Sequence, residues 1–328
     1  MTDPITLDFP AALPVVRRGE AWLARAGDKE LRLSNLDKVY WPEEGYTKGD
    51  LLAYYFNISQ TMLPHIEDRP LTLKRMPDGI TGDHFYEKNA PRHTPKWMPT
   101  IPVRAEGKTI DFLTVRDVAD MLWVVNLGCI EFHPLHARGP EQSRPSYAFF
   151  DLDPFPPAGW DQVRYVAGLV KVLLDRLGLD CYPKTSGATG MQIMVPLDGS
   201  HDYDEVRGFV GAVSDLVHQA ERDATTLEWE VAKRSGKVFL DVNMNREGAN
   251  IAAAYSVRPE PGATVSSPFR WDEIDDIEPP AFTMATMFER VEEAGDPFLP
   301  VATGPGQSLV SAIKALDAKP RKARVIRR

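Results

Sequence analysis

The sequence is poor in cysteine: Cys129 and Cys181 are the only two in 328 residues, too few for a disulfide framework or a cysteine-rich zinc site. It contains no uninterrupted apolar run near the roughly 18 residues that a membrane span needs. Its start, MTDPITLDFPAALPVV, has neither the basic stretch nor the apolar block of an export signal, so a cytoplasmic location is expected. Internal repeats and low-complexity tracts are missing, which excludes solenoid and fibrous architectures. What remains is ordinary for a globular chain: 43% hydrophobic and 26% charged residues, with length for one large domain or two of usual size.

Charge is unevenly spread. The whole chain carries −9. Residues 306–328 hold seven basic side chains (Lys314, Lys319, Arg321, Lys322, Arg324, Arg327, Arg328) and one acid, Asp317, so they contribute +6 and leave −15 for residues 1–305. A basic tail on an acidic body can touch a polyanion by counterion release; alone, it reads more readily as a solvated, frayed terminus.

Patterning gives the elements. Residues 31–41 alternate and run into a PEEGYT turn, after which Thr47 caps a helix, KGDLLAYYFNISQTMLPHI. Short strands are expected over 70–76 and 84–89, split by a PDGITG turn, and a buried helix over 115–130. An aromatic strand, YAFFDLDP at 147–154, is followed by a helix from Trp160, a strand at Cys181–Pro183, the turn KTSGATG, and the strand MQIMVPL. A helix over 203–222 and strands over 237–243 and 250–258 complete the series. Strands interleaved with helices indicate an α/β or α+β fold, with no linker before about residue 303.

Three local patterns carry chemistry. In Asp151-Leu152-Asp153, alternation on a strand sends both carboxylates to one side, a usual way to hold Mg²⁺ or Mn²⁺. A lone pair of this kind is often a surface turn, but Phe149, Phe150 and Leu152 mark a buried strand whose acids need a reason to be there. KTSGATG, residues 184–190, offers Gly187 and Gly190 for close backbone approach and Ser186 and Thr189 as hydroxyls, a phosphate cradle or an ordinary connecting turn. Asp241 lies inside the apolar run Val238–Val242, among Lys233, Arg234, Arg246 and Arg258, either metal-bound or in a buried Asp–Arg pair. Taken together they suggest a two-metal centre for phosphoryl or nucleotidyl transfer.

The order of these signals, with NLDKVYWPEEGYTKGDLLAYY, LTLKRMPDGITG, FYEKN, LGCIEFHPLHAR and YSVRPEPGATVSSPFRWDEI, resembles the archaeo-eukaryotic primase superfamily over about residues 31–280. It is most similar to the bacterial non-homologous end-joining polymerases, typified by the polymerase domain of ligase D and its stand-alone relatives, including the mycobacterial type associated with short-gap repair. The resemblance implies an α+β primase-like core of mixed and antiparallel sheets flanked by helices. It implies a catalytic domain over residues 1–303 and a basic tail over 304–328, with no ligase segment following.

Carried over by position, Asp151, Asp153 and Asp241 match the metal triad, implying two Mn²⁺ or Mg²⁺ ions. Ser186, His133, Lys74, Arg234 and Arg258 match nucleotide-contacting positions. Lys38, Lys48 and Asn35 match the pocket for a downstream 5′-phosphate, beside a helix N-terminus that favours anions. Phe85 and Tyr86 match an aromatic pair that stacks on template bases. A basic stripe of Lys74, Arg75, Lys88, Arg92 and Lys96 would line the DNA path. Two positions depart from the family pattern: Thr189 and Gln192 stand where a basic residue and a histidine usually face the triphosphate, which shifts weight onto Lys184 and Arg246. Met244 also replaces a residue that is often polar. The expected function is a DNA-dependent nucleotidyltransferase that fills short gaps or extends 3′-ends, with a preference for ribonucleotides implied by the resemblance alone. Its expected partners are gapped or broken DNA with a 5′-phosphate, NTP or dNTP, a separate ligase and an end-binding protein, at the nucleoid. The rival is a DNA-end-binding or synapsis protein with a vestigial polymerase site. A generic two-metal phosphohydrolase is a third reading.

Overall fold

The computed structural model describes residues 4–19, 21–105 and 107–324. The basic positions Arg327 and Arg328 lie outside the described residues. The chain forms two compact units assembled from interleaved segments. The first takes residues 1–135, 251–267 and 278–296; the second takes 136–250, 268–277 and 297–328. The expected boundary at residue 303 therefore falls inside the second unit.

In the first unit, β1 (Val15–Arg18), β2 (Ala21–Ala26) and β3 (Lys29–Leu33) form an antiparallel three-stranded sheet. Asn35, at φ 56°, breaks the alternation before β4 (Val39–Trp41), which pairs with β5 (Tyr46–Thr47). Helix α1 (Lys48–Ile66) starts where the capping pattern places it. Thr47 Oγ1 accepts from the Asp50 amide, the Asp50 carboxylate accepts from the Thr47 amide, and Asp50 also accepts from Thr6 and Leu7. The second sheet has β6 (Leu71–Arg75) at its centre, with β10 (Cys129–Pro134) on one side and β7 (Phe85–Glu87), β9 (Lys108–Leu113) and β8 (Thr100–Ala105) beyond the other. Helix α2 (Val118–Asn126) is shorter than the expected 115–130: Asp117 caps its start, and Gly128, at φ 85°, turns the chain so that Cys129 opens a strand. Residues 250–258 do not form the expected strand. Tyr255 sits at φ 66°, and isolated bridges, at Asn250 and between Val257 and Val265, replace it. The Tyr255 carbonyl accepts from the Tyr54 hydroxyl and its own hydroxyl donates to Asp296, so side-chain anchoring replaces a ladder.

The second unit is built on a five-stranded sheet, ordered β12 (Tyr182–Thr185), β13 (Met191–Pro196), β11 (Tyr147–Pro154), β15 (Val238–Leu240), β14 (Thr225–Thr226). All pairings are antiparallel except β14 with β15. Helices α3 (Trp160–Arg176) and α4 (Tyr203–Ala220) bury Val163, Val166, Val170, Val206, Phe209 and Val213. The fold class is thus α+β with mixed and antiparallel sheets, as the sequence implied. No helix among the described residues is long and apolar enough to cross a membrane.

Candidate active site

The acidic centre lies in the second unit. β11 runs in the middle of its sheet, with Phe149 and Phe150 buried, and then presents Asp151 and Asp153, both half-buried. Their spacing puts the two carboxylates on one face. Registration brings the other parts alongside: Asp151 lies opposite Gln192 on β13, Leu152 opposite Leu240, and Asp153 opposite Phe239 on β15. Asp241 follows β15 directly, and its amide donates to the Asp151 carbonyl at 3.1 Å. The strand expected over 237–243 stops at Leu240. Asp241 instead caps the short 3₁₀ turn Val242–Met244, its Oδ1 accepting from the Asn243 amide at 3.0 Å.

Burial pushes the Asp151 carboxyl well above the usual carboxylate range, with the charges of Asp153 and Asp241 adding to it; the Gln192 hydrogen bond and the Lys184 charge oppose the shift. Asp241 is also raised by burial, against its backbone hydrogen bonds and the charges of Arg234 and Arg246. Three mutually repelling acids with hard oxygen donors fit a divalent cation in chemistry and in charge. Their side chains are not drawn into one ligand set: among the described residues no group of three or more His, Cys, Asp or Glu is gathered around a common point, and Asp241 is turned toward its own capping bond.

The turn between β12 and β13 lies against these acids. Ser186 Oγ accepts from the amides of Ala188 and Gly190, and Gly187 adopts φ 73°. A Cβ on Gly190 would stand 2.5 Å from the Leu152 carbonyl oxygen and 3.0 Å from Asp153 Oδ1, so glycine is needed for the approach. Thr189 points to solvent as an exposed residue. Gln192 is buried and bonded on both ends: its Nε2 donates to Asp151 Oδ1 at 3.0 Å, and its Oε1 accepts from the fully buried Lys184. The structure therefore ties Gln192 to a carboxylate rather than presenting it outward. Arg234 is likewise engaged, donating to the carbonyls of Glu228 and Trp229 with its guanidinium 3.5 Å from the centre of the Phe239 ring.

In the first unit a second cluster gathers around an acid that sequence reasoning missed. Glu131, 1% exposed, lies on β10 opposite Lys74 on β6. It pairs with Lys74 at 3.1 Å, with His133 Nε2 at 3.0 Å, and with Arg258. Burial alone would raise its pKa; the His133 hydrogen bond and the charges of Arg258, His133 and Lys74 outweigh that and hold it at about 2. Nearby, Phe85 and Tyr86 are exposed on β7, with the Arg75 guanidinium 5.0 Å from the Phe85 ring and Tyr86 6.3 Å from the His133 ring. At the start of α1, the Lys48 amide donates to the Lys38 carbonyl, which brings the expected phosphate pair together. Lys48 is buried, and its ammonium donates to the Ser34 carbonyl and to both oxygens of Asn126; burial, then Lys38 and Arg75, lower its pKa to about 8. Lys38 is more open and pairs with Asp78, while Asn35 is exposed at the preceding bend.

An antiparallel pairing that carries acids at i and i+2, with a glycine turn pressed against them, sits at the core of a primase-polymerase domain. The chain belongs to the family of the LigD primase-polymerase domain, whose model matches residues 47–298. The multifunctional non-homologous end joining protein LigD of Mycolicibacterium smegmatis is 32% identical over 83% of this chain and 36% of that protein. That of Pseudomonas aeruginosa is 32% identical over 89% of this chain and 35% of its own length, and the bifunctional LigD of Bacillus subtilis is 29% identical over 87% and 46%. The chain thus spans only about a third to a half of these relatives. Among solved structures, the polymerase domain of Mycobacterium tuberculosis ligase D in complex with DNA superposes with a TM-score of 0.78 at 29% identity, covering 83% of this chain and 98% of that one.

Proposed function

We propose that the protein extends DNA 3′-ends across short gaps or joined breaks in end-joining repair, working on DNA with a downstream 5′-phosphate, with residues 1–303 as its catalytic body. The observation that carries this reading is the acidic strand: Asp151 and Asp153 share a face of β11, Asp241 follows its neighbour β15, and Gly190 brings the Ser186 turn against them. Asp151, Asp153 and Asp241 would hold two Mn²⁺ or Mg²⁺ ions. Those ions would lower the pKa of the primer 3′-hydroxyl and neutralise the triphosphate. The chain's own groups do the rest. Gln192 orients Asp151, Ser186 shapes the turn, and Arg234 and Arg246 place positive charge beside Asp241. In the first unit Lys74 and Arg258 supply phosphate-binding cations with the His133 ring beside them, Phe85 and Tyr86 offer exposed rings for base stacking, and Lys38 reaches a 5′-phosphate by exchanging Asp78 for it. The DNA complex of the solved relative supports this substrate class. A preference for ribonucleotides, a separate ligase, an end-binding protein and residence at the nucleoid belong to the same proposal.

The test is single-nucleotide addition on a one- or two-nucleotide gap, with and without the downstream phosphate, using ribo- and deoxyribonucleotides in Mg²⁺ and in Mn²⁺. Addition stimulated by the phosphate and abolished by Asp151→Ala, with gap binding retained, is the expected result. Tight gap binding with no addition by the wild type in any metal would replace the reading with that of an end-binding protein.

A further inference from the structure

Residues 319–324 lie beyond the stretch matched by the family model, and their basic composition suggests a loose tail. The structure lays them across α4. A Cβ on Gly208 would overlap the Lys319 carbonyl, and one on Gly211 would overlap the Arg321 guanidinium, so these two glycines clear the helix surface for this segment. The Arg321 amide donates to the Asp204 carbonyl at 2.9 Å, and its guanidinium pairs with Asp215. Buried Arg207 joins the segment to the turn that follows β15: its Nε donates to the Arg321 carbonyl and its Nη1 to the Asn245 carbonyl, each at 2.7 Å. The Arg324 amide donates to Asn243 Oδ1 at 2.9 Å, and its guanidinium lies 6.0 Å from the centre of the Trp229 ring.

Both endpoints are in the turn that carries the third carboxylate. The Asn243 amide donates to Asp241 Oδ1. The Asn245 side chain accepts from the Phe149 amide at 3.1 Å and donates to the Phe149 carbonyl at 2.8 Å, on β11 just before Asp151. Arg321 and Lys319 are meanwhile paired with Asp215 and Asp317, which suits packing better than phosphate binding.

We propose that residues 319–324 brace the acidic centre, and that Arg207 is the positioning residue through which they fix the Asp241 turn against β11. The effect on catalysis rests on the polymerase reading; the bracing itself does not. The experiment compares the full chain, Gly208→Val, Asp215→Lys, and a chain ending at Ala318. It reads hydrogen exchange of the amides of residues 241–245, along with kcat and KM for gapped DNA. Gly208→Val keeps every charge and only lifts the segment. It is expected to speed exchange at Asn243 and Asn245 about tenfold and to lower kcat by a similar factor, with KM within about twofold. The shortened chain should match it, and adding Gly208→Val to the shortened chain should change nothing more. Should Gly208→Val fail to fold, Asp215→Lys, at the exposed surface of α4, gives the same reading through Arg321. Faster exchange with no nucleotide addition by any form would uphold the brace and refute the polymerase. Unchanged exchange after shortening overturns the proposal. So does faster addition after shortening, or a loss confined to KM and to the shortened chain, which would make the segment a DNA-binding tail.

Discussion

Glu131 is the acid on which the first unit's cations depend. A buried carboxylate facing Lys74, His133 and Arg258 is stable only while ionised, and the cations lose their partner if it is neutralised. The folded pKa of about 2 lies below the ordinary 4.5, so the unfolded chain takes up the proton first as pH falls. The resulting stabilisation, roughly 3 kcal/mol, is complete above about pH 4.5 and disappears as pH drops through the folded value. Glu131→Gln, which keeps the shape and removes the charge, should therefore cost about 3–5 kcal/mol in urea unfolding at pH 7. The difference from the wild type should shrink steadily below pH 4.5, and equal stability of the two proteins at pH 7 would show that the cluster contributes nothing. Lys74, His133 and Arg258 were each singled out by the family resemblance, which matches them to nucleotide-contacting positions. The acid that gathers them was not, since only the pairing of β6 with β10 and the return of residue 258 put the four side chains in one place. Gln192 shows the same limit. Its departure from the family's histidine could be read in the sequence, but its bonds to Asp151 and Lys184 follow from strand register.

Elements with strong local signals formed where the sequence placed them. The Thr47 cap started α1 at Lys48, and the YAFFDLDP run became β11 from Tyr147 to Pro154. Where long-range bonds decide the backbone, patterning failed: 250–258 looks like a strand by composition but is held by Tyr54, Ser266 and Asp296. The β12–β13 turn combines both cases. Its glycines mark a turn, yet why Gly190 must be glycine depends on the neighbouring strand. Gly190→Ala would put a methyl group against the Leu152 carbonyl, which is backbone and cannot swing away. The expected cost is about 1–3 kcal/mol in stability, from overpacking. Nucleotide addition should fall on the order of a hundredfold, because the turn and Asp153 move apart. Gly168→Ala is the control: it lies within α3 with nothing inside 4 Å of its new methyl, so it should stabilise the protein by about 0.5–1 kcal/mol without touching activity. Equal activity of the two variants would remove the turn from the site.

At the scale of the whole molecule, the interleaving of the two units was invisible to a linear reading, because residues 251–267 and 278–296 return to a body built mainly from the first 135 residues. Net charge, in contrast, was fully legible, and it constrains how the proposed DNA substrate can be held. With −9 overall, attraction must come from local cations. Two of those expected on the DNA path are already neutralised within the fold, Lys74 by Glu131 and Arg75 by Glu87, and so is Lys38 of the expected 5′-phosphate pocket, by Asp78. Lys88, Arg92 and Lys96 are exposed, and no ion pair among the described residues engages them. A cation that trades an internal carboxylate for a phosphate frees an acid, which regains counterions, so it adds little to net ion release. Binding to gapped DNA should therefore show a log–log salt slope near −3, as for about three net phosphate contacts, instead of the −5 or steeper expected if every basic residue of the path counted. Charge removal at Lys88 or Arg92 should lower the slope by about one unit each. Lys38→Ala should instead leave the slope nearly unchanged while erasing the advantage of a 5′-phosphorylated gap over an unphosphorylated one. Binding isotherms from 50 to 200 mM salt separate these cases, and a full unit of slope lost with Lys38→Ala would mean that Asp78 does not hold that lysine in solution.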